Sequence, residues 1–117
     1  SQAENGAHGQ IQNVPLAEGS GGGVMREAYE SLIFPRIAAW KPDLILISAG
    51  FDAHQADPLA GLEWQAEDFA WITQRICDLA DTHCAGRVVS CLEGGYDLPA
   101  LTASVHAHVA VLQERGR

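Results

Sequence analysis

An α/β fold built on a parallel sheet is what this chain of 117 residues predicts. Leu44-Ile45-Leu46-Ile47 and Val88-Val89-Ser90-Cys91-Leu92 are short, strongly apolar runs, the kind buried on two faces in the middle of such a sheet. A stretch with helical spacing separates them and another follows the second. Each run also ends in glycine and a chemically versatile side chain: Asp52 after Gly50-Phe51, and Tyr96 after Gly94-Gly95. Ligands of open α/β sheets bind beyond the carboxyl ends of the strands. Asp52 and Tyr96 are therefore expected on one rim.

The elements follow in order. Residues 1–9 are polar with nothing to pack and read as a loop or ragged end. Ile11 to Leu16 reads as a short extended piece closed by Pro15, and Gly19-Ser20-Gly21-Gly22-Gly23 as a flexible connector. A phosphate loop is excluded there, because no Lys-Ser/Thr follows and no strong strand precedes it. A helix is predicted from about Val24 to Trp40, with Met25, Ala28, Tyr29, Leu32 and Ile33 facing the core. Pro35 removes one backbone donor inside it and bends it. Lys41-Pro42-Asp43 turns into the first strand, and Asp57-Pro58-Leu59 forms a turn after it.

A second helix is predicted over Ala66–His83, with Phe69, Ile72, Thr73, Ile76, Leu79 and Ala80 buried and Glu67 and Asp68 favouring its N-terminus. Gly86 marks its stop. A third, Leu98–Arg115, sets Leu101, Val105, His108 and Leu112 on one side. The order is strand, helix, strand, helix, strand, helix, without internal repeat. Three helices do not cover both faces of such strands, and leaving large apolar side chains in water costs roughly 1.5–3 kcal/mol each. The chain is expected to be the tail of a longer protein, or else to complete its sheet with a partner chain.

Composition narrows the function. With 47% hydrophobic and 19% charged residues the chain is globular. Seven basic against fifteen acidic residues give a net charge of −8, which excludes the basic footprint of nucleic-acid binding. No run approaches a membrane span and no signal-like segment opens the chain, so no membrane partner is expected. Cys77, Cys84 and Cys91, odd in number and without C-x-x-C spacing, suit a reducing cytoplasm.

The string Pro42-Asp43-Leu44-Ile45-Leu46-Ile47-Ser48-Ala49-Gly50-Phe51-Asp52-Ala53-His54, then Asp57-Pro58-Leu59, then Leu92-Glu93-Gly94-Gly95-Tyr96-Asp97-Leu98 resembles the C-terminal third of zinc-dependent histone deacetylases. The nearest branch is the bacterial class II-like one, which includes acetylpolyamine amidohydrolases. Asn13-Val14-Pro15-Leu16 and Glu67-Asp68-Phe69-Ala70-Trp71 support it, and the resemblance covers about Gly9 to Leu112. It implies a three-layer α-β-α parallel sheet of the arginase/deacetylase type, incomplete in this chain.

By the same resemblance, Asp52 is a zinc ligand and Tyr96 the donor to the acetyl carbonyl oxygen. Gly94 and Gly95 let the backbone approach the acyl-lysine channel, and Leu59 lines it. The implied activity is removal of acetyl groups from acetyl-lysine or acetylpolyamines. The family's Asp-x-His ligand pair and paired histidines have no counterpart here. His54, in Asp52-Ala53-His54, mimics that spacing in a different context and is a weaker metal candidate. The 117 residues alone are therefore expected to be inactive.

Two departures accompany the match. Gly22 and Gly23 stand near a position where the family commonly has an acid. Gln65 replaces a helix-capping threonine, a loss worth about 1 kcal/mol. On their own residues, Asp52 also reads as a strand-end turn residue and Tyr96 as a half-buried aromatic. His106 and His108 read as structural, His8 and His83 as solvated. Two other functions compete: a non-catalytic remnant acting as an interaction or oligomerisation module, and a hydrolase of the related arginase kind, against which the Gly-Gly-Tyr element speaks.

Overall fold

The helix expected from about Val24 to Trp40 begins at Gly22 and is built in three pieces: α1 (Gly22–Ala28), a π-helical turn (Tyr29–Ile33) and α2 (Phe34–Trp40). This computed structural model describes residues 6–54, 56 and 63–116. The cause of the wide turn is Pro35, which has no N–H for the Ser31 carbonyl and crowds it with its ring. Widening the preceding turn by one residue relieves that crowding. It also rotates everything beyond it by about 100°, one residue's share of a turn. The core position passes from the expected Leu32, 51% exposed, to Phe34, 5% exposed.

Strands β1 (Ile45–Ala49) and β2 (Val88–Leu92) pair in parallel, Ile45 opposite Val88 and Ala49 opposite Leu92. Helix α3 (Ala66–His83) connects them and α4 (Leu98–Arg115) follows β2, both with the bounds the sequence predicts. The expected strand over 11–16 does not form among the described residues, where the sheet has two strands. No ladder partner reaches it. Gln12 instead gives its side-chain N–H to the Leu32 carbonyl in the π-turn at 3.2 Å. The turn expected at Asp57-Pro58-Leu59 lies outside the described residues.

One face of the sheet packs on the helices through half-buried Ile45 and Ile47, buried Ala49, and Ser90. The other carries Leu46, 70% exposed, with Ser48, Val89 and Cys91, and lies open among the described residues. As expected of three helices, only one face is covered: α3 packs with α1, α2 and α4, and among the described residues no helix lies over the second face. None of the described helices is long and apolar enough to cross a membrane.

The core joins Met25, Ala49, Phe51, Ala53, Trp64 and Phe69. Phe69 stands 5.1 Å from the Phe51 ring and 5.4 Å from Trp64, in tilted contacts that favour aromatic pairs. Cys77 and Cys84 are buried and Cys91 exposed, all three as free thiols.

Gln65 and buried Asp68 form a capping box at the start of α3, so the cap expected to be lost at Gln65 is present. The Asp68 carboxylate accepts the Gln65 N–H at 2.8 Å and meets Arg26 of α1 at 3.1 Å. Only glycine at position 22 leaves it room, since a Cβ there would run into the carboxylate. A Gly22→Ala substitution is therefore expected to destabilise the protein by about 1–3 kcal/mol through overpacking. Gly23→Ala, whose Cβ meets nothing within 4 Å, is expected to be neutral or stabilising. Urea midpoints of the two variants check this; equal midpoints would contradict it.

Candidate functional site

Because Ala49 pairs with Leu92, the two strands end level and their loops leave side by side. The loops are stitched together at once. The Glu93 N–H donates to the Ala49 carbonyl at 2.9 Å and the Phe51 N–H to the Gly94 carbonyl at 2.8 Å. Asp52 sits on this seam, half-buried. Its Oδ1 lies 3.1 Å from where a Cβ would stand on Gly50 and 3.0 Å from the same point on Gly94. These two glycines form the seat of the carboxylate.

Gly94 therefore has an internal reason to lack a side chain, beside the channel role that the resemblance implies. Gly95 has another: its φ is +140°, and a Cβ there would stand 2.5 Å from Leu101 Cδ1 and 3.5 Å from Phe51 Cβ. Tyr96, 58% exposed, leaves the same turn two residues after Gly94. The structure thus joins the loops of Asp52 and Tyr96 through hydrogen bonds and through the carboxylate seated on Gly94. Leu59 lies outside the described residues.

His54 is turned inward on its own loop. Its Nδ1 accepts the Ala56 N–H at 3.0 Å, which occupies that lone pair, while its own N–H donates to the Phe51 carbonyl at 3.4 Å. Among the described residues no group of three His, Cys, Asp or Glu is placed to hold a metal ion. Among the described residues Asp52 is the rim carboxylate left to act as a donor. One carboxylate could serve as a single member of the three or four ligands that protein zinc sites use.

Behind the rim, buried His108 on α4 joins three elements. Its Nδ1 lies 2.8 Å from Thr73 Oγ1 on α3, and its Nε2 2.8 Å from Ser90 Oγ on β2. The Thr73 hydroxyl spends its proton on the Phe69 carbonyl at 2.6 Å. Thr73 Oγ1 must therefore accept from Nδ1–H, leaving Nε2 to accept from Ser90. That tautomer is neutral. Burial accordingly holds the imidazole below its ordinary value of 6.5.

The sign follows from proton uptake. As pH falls through 6.5 the unfolded chain takes up a proton that folded His108 refuses. This contribution to stability is complete above that pH and is lost as pH falls toward the lower folded-state value. The urea midpoint is expected to drop further between about pH 7 and about pH 5.5 in the parent than in His108→Asn. Equal slopes would contradict it. The reading of His108 as structural is upheld, with partners that no local spacing in the sequence announces. Gly50 and Phe51 were not singled out; the glycine at the strand end was the available signal.

The histone deacetylase domain profile matches residues 1–112. Histone deacetylase 10, chloroplastic, of Oryza sativa subsp. japonica is 45% identical over 102 residues, covering 87% of this chain and 23% of that protein. The histone deacetylase-like amidohydrolase of Pseudomonas aeruginosa is 36% identical over 93 residues, 80% of this chain and 24% of its own. The solved structure of the histone deacetylase Clr3 superposes with a TM-score of 0.81 at 28% identity, covering 89% of this chain and 17% of that one. The chain thus spans about a quarter of the length of the two curated relatives. By sequence and by architecture, this chain belongs to the histone deacetylase family and carries part of its α/β fold.

Proposed function

We propose that this chain is the C-terminal part of a deacetylase domain in a zinc-dependent amidohydrolase that removes acetyl groups from acetyl-lysine or acetylpolyamines. One observation carries the proposal: the Asp52 carboxylate is seated on Gly94, in the very turn that delivers Tyr96, at the carboxyl ends of paired parallel strands. Asp52 would supply one carboxylate ligand. When bound, zinc provides a Lewis acid for the amide carbonyl and lowers the pKa of water. Tyr96 donates its hydroxyl to the carbonyl oxygen, which gathers negative charge as the amide is attacked. Gly94, Gly95 and Leu59 are assigned to the acyl channel. The remaining ligands and the general base come from outside these residues, so the chain alone is inactive. Three free thiols support a reducing compartment, the cytoplasm.

The open sheet face favours a second reading, a non-catalytic module that pairs with another chain. Leu46, 70% exposed, and half-exposed Val89, neighbours across the two strands, would be the contact. One experiment separates the two. The intact protein is expected to release acetate from an acetyl-lysine peptide or acetylspermidine and to stop on zinc chelation. The isolated chain is expected to show no turnover, no stoichiometric zinc by elemental analysis, and self-association by light scattering. An isolated monomer holding one zinc tightly would contradict the proposal; an intact protein inert on every acyl amide would favour the module.

A further inference from the structure

We infer that His108 is a positioning residue for the Asp52 carboxylate, acting through Phe51; the inference rests on the metal-ligand reading of Asp52. The His108 ring meets the Phe51 ring edge-on, with centroids 5.6 Å apart and planes at 62°. Phe51 is 4% exposed and immediately precedes Asp52. Its N–H is the one bonded to the Gly94 carbonyl, and its ring also meets that of Phe69, 5.1 Å away. These two ring neighbours of Phe51, His108 and Phe69, are tied by one chain of hydrogen bonds. Ser90 holds His108, His108 holds Thr73, and Thr73 is tied to the Phe69 carbonyl.

The consequence for the rim is mechanical. The Asp52 carboxylate fills space that only glycine leaves open at positions 50 and 94, so its place depends on the adjacent backbone of Phe51, which a tilt of that ring shifts. The same helix touches the second loop about two turns upstream, where Leu101 packs under Gly95. Helix α4 therefore sets the two loops against each other, and His108 is the polar half of that grip. Supporting groups behind a ligand commonly change metal affinity by about 10–100-fold when removed.

The test uses the intact protein. His108→Phe keeps a ring beside Phe51 but cuts both hydrogen bonds; Ser90→Ala is a milder cut, in case the first variant does not fold. Val111→Ala, on the same helix and buried, is the control for general loosening. Zinc affinity by chelator competition is expected to fall about 10-fold or more in His108→Phe and several-fold in Ser90→Ala, with Val111→Ala unchanged. Amide exchange at Phe51 is expected to accelerate in the first two variants only. If affinity and exchange change no more than in Val111→Ala, the inference is overturned while the metal reading stands. If the parent binds no zinc, the metal reading falls and Phe51 exchange alone decides whether His108 holds the rim.

Discussion

Tyr96→Phe in the intact protein is expected to lower turnover by about 10²–10³ while leaving zinc content unchanged, because one preorganised donor to a developing oxyanion is worth that much. The substitution removes a single oxygen from a side chain that is 58% exposed in this chain, so folding is expected to be untouched. The loss should fall on kcat rather than KM, since the hydroxyl binds the charged oxygen better than the neutral amide. Acetate release at saturating substrate, alongside metal analysis, checks both halves. Full activity in this variant would take Tyr96 out of the mechanism.

Gly95→Ala is expected to produce the largest loss of stability, about 2–6 kcal/mol. Two costs add there. A φ of +140° suits glycine and strains an L-residue by about 1–3 kcal/mol. The new methyl also stands 2.5 Å from Leu101 Cδ1, and overpacking of that kind costs about 1–3 kcal/mol. Shortening the obstacle in Gly95→Ala/Leu101→Ala should relieve only the second cost, so the pair should be less than additive. Urea denaturation of the three variants measures it; a Gly95→Ala midpoint equal to the parent's would refute the strained turn.

Much of the fold was legible because its signals are local. Gly86, expected as the stop of α3, has φ +77° and sends its N–H back to the Ala80 carbonyl at 3.0 Å. A cap of this kind is written within a few residues, as is the one at Asp97, which was not singled out. What failed was non-local. A strand over 11–16 needed a ladder partner that does not reach it. Leu32 gave way to Phe34 because a spacing rule assumes an unbroken helix, and Pro35 breaks the count before it is reached.

The site divides the same way. The strand-end rule brought Asp52 and Tyr96 to one rim, and level strand ends did the rest. The seating of the carboxylate on Gly50 and Gly94 was not readable, since nothing in spacing links residue 52 to residue 94. Nor was the group of Phe51, Thr73, Ser90 and His108, drawn from four separate elements. Nor does the sequence place Cys77 and Cys84 in the interior, where both are buried.

One carboxylate, that of Asp68, is shared between the first turn of α3 and Arg26 in the last turn of α1. The beginning of one helix and the end of another, over forty residues apart, therefore have a common latch. Neither can fray alone without stranding a buried charge, so local opening there is coupled: the pair comes apart in one cooperative event or stays shut.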